Sequence, residues 1–270
     1  MEPIIVGAVL YDPKVSVIWD IIRDFYEENG VPLDVVFYTN YELQVKALLD
    51  GHVEIAWNSP LAWLDALRRS GGTCRAIAMR DTDRDRRTYI VARKDGPIRS
   101  LKDLAGRPVA FGAADSPQAT LIPAEHLRRH GLEKGSYEDL RFDVLVGKHG
   151  DHVGGEAEAF QALASGKAAA SCMLDLNWDA WTKDGTIDPN RYEILSKTED
   201  FDHCVFTVAG TFSRAREEAF LRALFDMDYA NPKHREMMDL EGLKKWEPGR
   251  TTGFGILTGA CESQGFFERR

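Results

Sequence analysis

The chain has 270 residues, a formal net charge of −9 and 44% apolar residues. That length suffices for one large domain or two modest lobes with buried cores. The acidic balance argues against a general binder of nucleic acids or anionic membranes, and no apolar run approaches the roughly 18 residues of a membrane-inserted helix.

The first part of the chain alternates predicted strands and helices. Residues 3–10 and 32–38 are typical of strands, and residues 13–29 place apolar side chains on one helical face. The stretch 41–57 (YELQVKALLDGHVEIAW) predicts a helix, a turn and a strand, and a serine–proline junction at Ser59 begins the next helix. Such alternation predicts an α/β protein with a largely parallel sheet.

The stretch 107–131 repeats the strand–loop–helix pattern with a polar start. Residues 107–112 read as a buried strand, Ser116 is a suitable N-cap, and Pro117 suits the first helical turn. The helix continues to Gly131. Because a helix N-terminus offers free N–H groups and partial positive charge, this junction suits an anion.

An internal echo indicates two lobes. Residues 158–174 (EAFQALASGKAAASCML) repeat the helix, glycine turn and strand of residues 41–57. The repeat predicts two similar α/β lobes, although helix–glycine–strand units also occur in any α/β protein.

Two predicted crossings divide the lobes. Residues 93–106 and 198–210 are interpreted as the connections, residues 213–230 as a helix, and residues 246–268 as a loop-rich tail. The predicted boundaries are 1–92 plus 205–270 for lobe I and 93–204 for lobe II.

The N-terminus and the cysteines leave the compartment open. MEPIIVGAVLY enters a strand at once without a signal-peptide pattern, so the chain is cytoplasmic as it stands or periplasmic with a leader trimmed. The four cysteines show no metal-type spacing, and at this low density free buried thiols are favoured over disulfides for Cys74, Cys172, Cys204 and Cys261.

Other chemical signals are weak. His149 and His152 with Glu156 suggest a metal, but a glycine-rich solvated loop is the favoured interpretation. His203 and Cys204 are not expected to form a catalytic pair, because adjacent strand residues point to opposite faces. We therefore predict no catalytic residues, no metal and no cofactor.

Four segments carry a family resemblance. The stretches YELQVKALLDGHVEIAWNSPLAWL, SLKDLAGRPVAFGAADSPQATLIP, EAFQALASGK and LEGLKKWEPG resemble the phosphonate-binding, PhnD-like group of type II periplasmic binding proteins. The resemblance implies two α/β lobes that are joined by two hinge strands and close on a small ligand. It also implies an ABC permease as partner.

The resemblance suggests ligand contacts and reveals departures from the family. Residues 113–120 correspond to its serine- and threonine-rich phosphonate loop, of which Ser116 remains while Pro117 and Gln118 follow. Proline has no N–H to donate, so a donor of that cradle is lost. Ser116, Gln118 and Ala119 would form the remaining cradle, and Tyr41 matches a family tyrosine.

Further contacts follow the same alignment. Arg86 lies near the family's second tyrosine and could pair with an anion, although it could also be a solvated member of a charged run. Glu156 aligns with the family's histidine, with His152 as the alternative. Asp175 is a candidate on different grounds, because it lies at the tip of the strand ending ASCMLD, where it would hold a ligand amine or hydroxyl.

The first lobe would add aromatic and polar groups. Tyr11 and Trp57 are predicted to wall the pocket, with core packing as the alternative for Trp57, and Asn58 and Ser59 would contribute beside Tyr41. The complete predicted ligand-binding set is Tyr11, Tyr41, Trp57, Asn58, Ser59, Arg86, Ser116, Gln118, Ala119, Glu156 and Asp175.

The favoured function is therefore that of a small-molecule binding protein, the solute-binding component of an ABC transporter acting as a monomer. Its ligand would be a phosphonate, another oxyanion or a small polar organic anion. A cytoplasmic biosynthetic enzyme on the same fold and a ligand sensor are the alternatives.

Overall fold

The chain divides into two compact units, each built on its own sheet. The computed structural model describes residues 2–142 and 153–269. Residues 1–84 and 202–252 form unit 1, and residues 85–201 and 253–270 form unit 2. The prediction of an α/β protein is confirmed by the alternating helices and strands of both units.

Unit 1 contains a six-stranded sheet in the order β11-β4-β10-β3-β1-β2. Strands β1 to β4 run parallel to one another, and β10 and β11 run antiparallel to them. The elements of this unit are β1 (Ile4–Val9), α1 (Lys14–Glu28), β2 (Leu33–Tyr38), α2 (Tyr41–Leu49), β3 (Ile55–Asn58), α3 (Pro60–Arg69), β4 (Arg75–Arg80), β10 (Val205–Val208), α7 (Arg214–Phe225), α8 (Pro232–Glu241) and β11 (Trp246–Pro248).

The core of unit 1 forms because α1 has one apolar face. Its buried residues recur at the spacing of successive helical turns and pack against the sheet, α7 and α8. Tyr26 stacks on Phe220 with ring centroids 5.0 Å apart, and its hydroxyl donates to the Phe220 carbonyl at 2.9 Å. This bond satisfies the one polar atom that the buried ring brings into the core.

Unit 2 contains a five-stranded sheet in the order β7-β6-β8-β5-β9. Strands β6, β7 and β8 are parallel, and β5 pairs antiparallel with β8 and β9. A π-helical turn at Pro117–Leu121 leads into α4. The elements are β5 (Thr88–Arg93), β6 (Pro108–Phe111), α4 (Ile122–Arg129), β7 (Glu138–Arg141), α5 (Val153–Ala164), β8 (Ala170–Leu174), α6 (Asp175–Lys183), β9 (Tyr192–Lys197) and α9 (Gly255–Ser263).

The bounds of the units differ from those of the predicted lobes. The first transition comes before β5 rather than after it, because β5 lies between β8 and β9 in the second sheet. The predicted loop-rich tail is wrong, since it includes β11 and α9. Residues 253–270 belong to unit 2, where Gln264 Nε2 donates to the Leu121 carbonyl at 2.9 Å and Ser263 Oγ to Glu125 Oε2 at 2.8 Å.

Two further sequence expectations are met. The internal echo is confirmed, because both α2–β3 and α5–β8 are a helix and a strand joined through a glycine turn. All four cysteines, which lie in the described part of the chain, are buried thiols outside any disulfide. Within the same part of the chain, no helix has the length and apolar character needed to cross a membrane.

We predict that unit 2 loses stability in mild acid through His126. Burial, with a smaller contribution from neighbouring His130, lowers the pKa of His126 from 6.5 to about 4. The folded state therefore holds the neutral ring, whose Nε2 lies 2.8 Å from Ser196 Oγ. The unfolded chain takes up a proton first, so the free energy of unfolding should fall by on the order of 1–3 kcal/mol between pH 6.5 and 4.

Urea unfolding of the wild type and His126→Gln across this pH range measures the effect. His126→Gln should show a shallower loss of stability over the same range, and His52→Gln, at an exposed position of unit 1, is the matched control. Equal pH slopes for the wild type and His126→Gln would contradict the assignment.

Candidate functional site

One edge of the unit 2 sheet gathers every predicted site residue of that unit. The carboxyl ends of β6 and β8 meet the beginning of antiparallel β5 at this edge. Ligands in α/β proteins bind beyond the carboxyl ends of parallel strands. The six predicted residues here are Arg86, Ser116, Gln118, Ala119, Glu156 and Asp175.

Ser116 caps the turn that begins the helical segment. Its side-chain oxygen accepts from the Ala119 backbone N–H at 3.1 Å, and Pro117 occupies the first helical position. The prediction of a serine-capped start is confirmed, with the difference that the first turn is π-helical and α4 begins only at Ile122. Ser116 and Ala119 are both fully buried.

Glu156 ties this turn to the end of β8. Its Oε1 accepts from Gln118 Nε2 at 3.1 Å, and its Oε2 accepts from the Leu174 N–H and Asn177 Nδ2, both at 2.8 Å. The residue is only 1% exposed. A carboxylate this buried needs such donors, because desolvation without them is costly.

Two glycines, Gly112 and Gly155, let the backbones at the end of β6 and the start of α5 approach closely. A Cβ on Gly112 would lie 2.7 Å from that of Ala119, and a Cβ on Gly155 would lie 2.9 Å from the Phe142 carbonyl oxygen. The absence of side chains at both positions brings the first turn of α5, and with it Glu156, against the end of β6.

Arg86 and Asp175 form a second polar pair at this edge. Arg86 Nη1 lies 3.5 Å from Asp175 Oδ2, and the Asp175 N–H donates to the Arg87 carbonyl at 2.9 Å. Burial raises the pKa of Asp175, and the Arg86 guanidinium partly offsets that rise. Asp175 follows Leu174 directly, so this pair adjoins the Glu156 network.

Unit 1 gathers its predicted residues at the carboxyl ends of β1, β2 and β3. Tyr11 follows β1 and is 39% exposed, whereas Tyr41 begins α2 and is only 2% exposed. Asn58 ends β3 and Ser59 caps α3, accepting from the Ala62 N–H at 3.3 Å. Both Asn58 and Ser59 are fully buried.

Trp57 packs within unit 1 among other aromatic rings. Its ring centroid lies 4.7 Å from that of Phe206 and 5.8 Å from that of Trp246. The Arg80 guanidinium carbon lies 5.3 Å from the same ring. These are the contacts of a partly buried core residue, the alternative considered for this tryptophan.

His203 and Cys204 approach each other, and the expectation that they would not is wrong. His203 Nδ1 lies 3.1 Å from Cys204 Sγ, because both residues precede β10 rather than lying in an extended strand. Asp83 Oδ1 lies 3.6 Å from His203 Nδ1.

These three residues are a group whose side chains could ligate a cation, but Arg80 already engages the carboxylate. Arg80 Nε donates to one Asp83 oxygen at 2.7 Å and Nη2 to the other at 2.8 Å. Burial opposes ionisation of Asp83, yet Arg80 and His203 bring its pKa below its ordinary value. The geometry is that of a buried ion pair that fixes the entry to β10.

Several residues that form polar side-chain contacts were not predicted from the sequence. Asp202 is fully buried and forms a bidentate pair with Arg250 at 2.6 and 2.7 Å. Gln44 and Asn177 also went unnoticed. Gln44 could have been found as a polar residue on the buried face of α2, at the spacing of Tyr41, Val45 and Leu48. Residues 149 and 152, the two histidines of the suggested metal site, lie outside the described residues.

A sequence profile of ABC-transporter phosphonate periplasmic substrate-binding proteins matches residues 17–252. The chain belongs to this family. The suspected resemblance is therefore confirmed over most of the sequence.

Individual relatives are distant. The phosphate-import protein PhnD of Mycolicibacterium smegmatis is 25% identical over 201 residues, 73% of this chain and 60% of that protein. The probable ABC transporter phosphite binding protein PhnD1 of Prochlorococcus marinus is 20% identical over 234 residues, 83% of this chain and 76% of that protein. A 28-residue stretch is 71% identical to an uncharacterized protein of Haemophilus influenzae and spans 39% of its length.

Two solved structures share the fold. PhnD1 from Prochlorococcus marinus in complex with methylphosphonate has a TM-score of 0.72 at 16% identity, covering 98% of both chains. XAC2383 from Xanthomonas citri bound to ATP has a TM-score of 0.74 at 16% identity, covering 97% of this chain and 98% of the other. The predicted type II periplasmic-binding-protein fold is thus confirmed.

We predict that Gly155→Ala lowers stability by about 1–3 kcal/mol, the range for overpacking. The new methyl group would meet the Phe142 carbonyl oxygen at 2.9 Å and the Ala113 nitrogen at 3.2 Å, and would displace the first turn of α5. Urea unfolding measures the change. The matched control is Gly255→Ala in α9, where nothing lies within 4 Å of the new Cβ. Equal stabilities of the two variants would contradict the role assigned to Gly155.

Proposed function

We propose that this family member binds a small ligand with an oxyanion group at one end and an amine or hydroxyl at the other. It would deliver the ligand to an ABC permease, acting as a monomer. The observation that supports this most directly is the convergence of the Ser116 turn, Glu156 and Asp175 at one edge of the unit 2 sheet.

The Ser116 turn is the proposed oxyanion site. The Ser116 oxygen already accepts from the Ala119 N–H, so its hydroxyl hydrogen would be the group donated to a ligand oxygen. Pro117 supplies no N–H, and the Gln118 side-chain amide is engaged with Glu156. This turn therefore presents fewer donors to an anion than a loop of serines and threonines would.

We propose a second, non-anionic end of the ligand because two carboxylates lie at this edge. Glu156 and Asp175 place two acidic side chains at this edge, where Arg86 pairs with Asp175. An unsubstituted oxyanion gains nothing from these acids, whereas an ammonium or hydroxyl group could donate to Asp175. Arg86 would move between Asp175 and the ligand's anionic group.

Ligand contacts are also proposed for the predicted residues of unit 1. Tyr11, which is exposed beyond β1, would provide an aromatic wall, and Trp57 would support it from the core. The Ser59 junction repeats the serine–proline helix start of unit 2. Asn58 and Tyr41 would add polar groups from the ends of β3 and β2.

The names of relatives supply the first ligands to test. One structural neighbour holds methylphosphonate and another holds ATP, and the curated relatives are named for phosphate and phosphite. We therefore propose calorimetric titration with methylphosphonate, inorganic phosphate and ATP, preceded by native mass spectrometry for a co-purified small molecule. A wild-type protein that carries no ligand and binds none of these probes would overturn the proposal.

We predict that Ser116→Ala weakens binding by on the order of tenfold to a hundredfold, because a hydrogen bond to a charged group is worth about 1.5–3 kcal/mol. Titration of the probe that the wild type binds measures the loss. Ser213→Ala is the matched control, since Ser213 precedes α7 without making a side-chain cap bond. Unchanged affinity in Ser116→Ala would place the oxyanion elsewhere.

A further inference from the structure

Two buried side-chain amides meet at the end of β3 in unit 1. Gln44 and Asn58 are both fully buried. Gln44 Nε2 donates to the Trp57 carbonyl and to Asn58 Oδ1, each at 2.8 Å. Asn58 stands immediately before Ser59, which caps the ten-residue helix α3.

The Trp57 carbonyl determines how both amides are oriented. A carbonyl can only accept, so Gln44 must turn its NH₂ group toward it. The second N–H of the same group faces Asn58, which must then present its oxygen. The Asn58 NH₂ group is consequently directed away from Gln44, and orientation in this pair follows from the bonding network.

This arrangement leaves Asn58 with an unused donor. Asn58 Nδ2 is buried and has no hydrogen-bond partner among the described residues. A buried donor without an acceptor is unfavourable, and native structures rarely retain one unless a ligand or water completes it. Its place at the N-terminus of α3 adds partial positive charge, which favours an anionic oxygen.

We propose that Asn58 is a specificity-determining donor to a ligand oxygen, and that Gln44 is the positioning residue that holds the Asn58 amide in the donating orientation. This assignment rests on the proposed binding function. At this position Asn58 would donate to an acceptor oxygen of the ligand, such as that of a phosphonate, phosphate or carboxylate. A ligand ammonium group would be rejected here, because two donors would face each other.

Gln44→Glu is the decisive variant, because it should reverse the orientation of the Asn58 side-chain amide. A glutamate side chain accepts from Asn58 Nδ2, so Asn58 would turn its oxygen outward. Methylphosphonate, inorganic phosphate and ATP are titrated into the full chain. We expect Gln44→Glu and Asn58→Asp to lose at least about tenfold in affinity for the probe that the wild type binds, in line with a lost bond to a charged group.

The matched control is Gln161→Glu, the same chemical change at an exposed position of α5. It should stay within about twofold of the wild type, consistent with the small effect of surface substitutions. If Gln44→Glu does not fold, Gln44→Met replaces it, since methionine removes the orienting bonds without adding a charge and should also weaken binding.

Side-chain amide NMR separates ligand contact from a merely structural role. The Asn58 NH₂ resonances of the wild type should shift when the probe is added, and those of Gln44→Glu should not. Resonances that stay unchanged at saturation, or wild-type affinity in Asn58→Asp, would overturn this assignment while leaving the proposed function intact. A wild type that binds no probe would fail the proposed function, and the assignment would fall with it.

Discussion

Burying a carboxylate is costly unless hydrogen-bond donors surround it, and for this reason Glu156 organises the edge of unit 2 at the carboxyl ends of β6 and β8. Its donors come from the Ser116 turn, from the end of β8 and from α6. Three elements are thereby held in one arrangement. The glycines at 112 and 155 are a consequence, because they let α5 bring the carboxylate close enough to be shared.

Unit 1 also buries polar side chains at the end of its sheet, but it pairs them differently. Its sheet edge holds a buried ion pair between Arg80 and Asp83 and an amide pair between Gln44 and Asn58. The ion pair satisfies both carboxylate oxygens and leaves little room for a cation. The amide pair leaves Gln44 Oε1 and Asn58 Nδ2 without a hydrogen-bond partner among the described residues, which is why the proposed ligand contact rests on it and not on the ion pair.

Much of the fold was predictable because local signals agreed with it. The strand–helix alternation, the serine–proline helix starts at Ser59 and Ser116, and the echo between residues 41–57 and 158–174 all appear in the structure. The C-terminal segment was not predictable from its glycines. Its helix α9 exists because Ile256, Leu257, Ala260 and Cys261 form a buried stripe within unit 2.

The sequence by itself determined the α/β class, the family and the residue types at the ends of the parallel strands, since these depend on periodicity and on short-range capping chemistry. Only the tertiary structure decided which side chains bond to one another. Glu156 lies 38 residues from Gln118, and Arg250 lies 48 residues from Asp202. Such pairs are formed by strand order and close backbone packing, which leave no periodic trace in the chain.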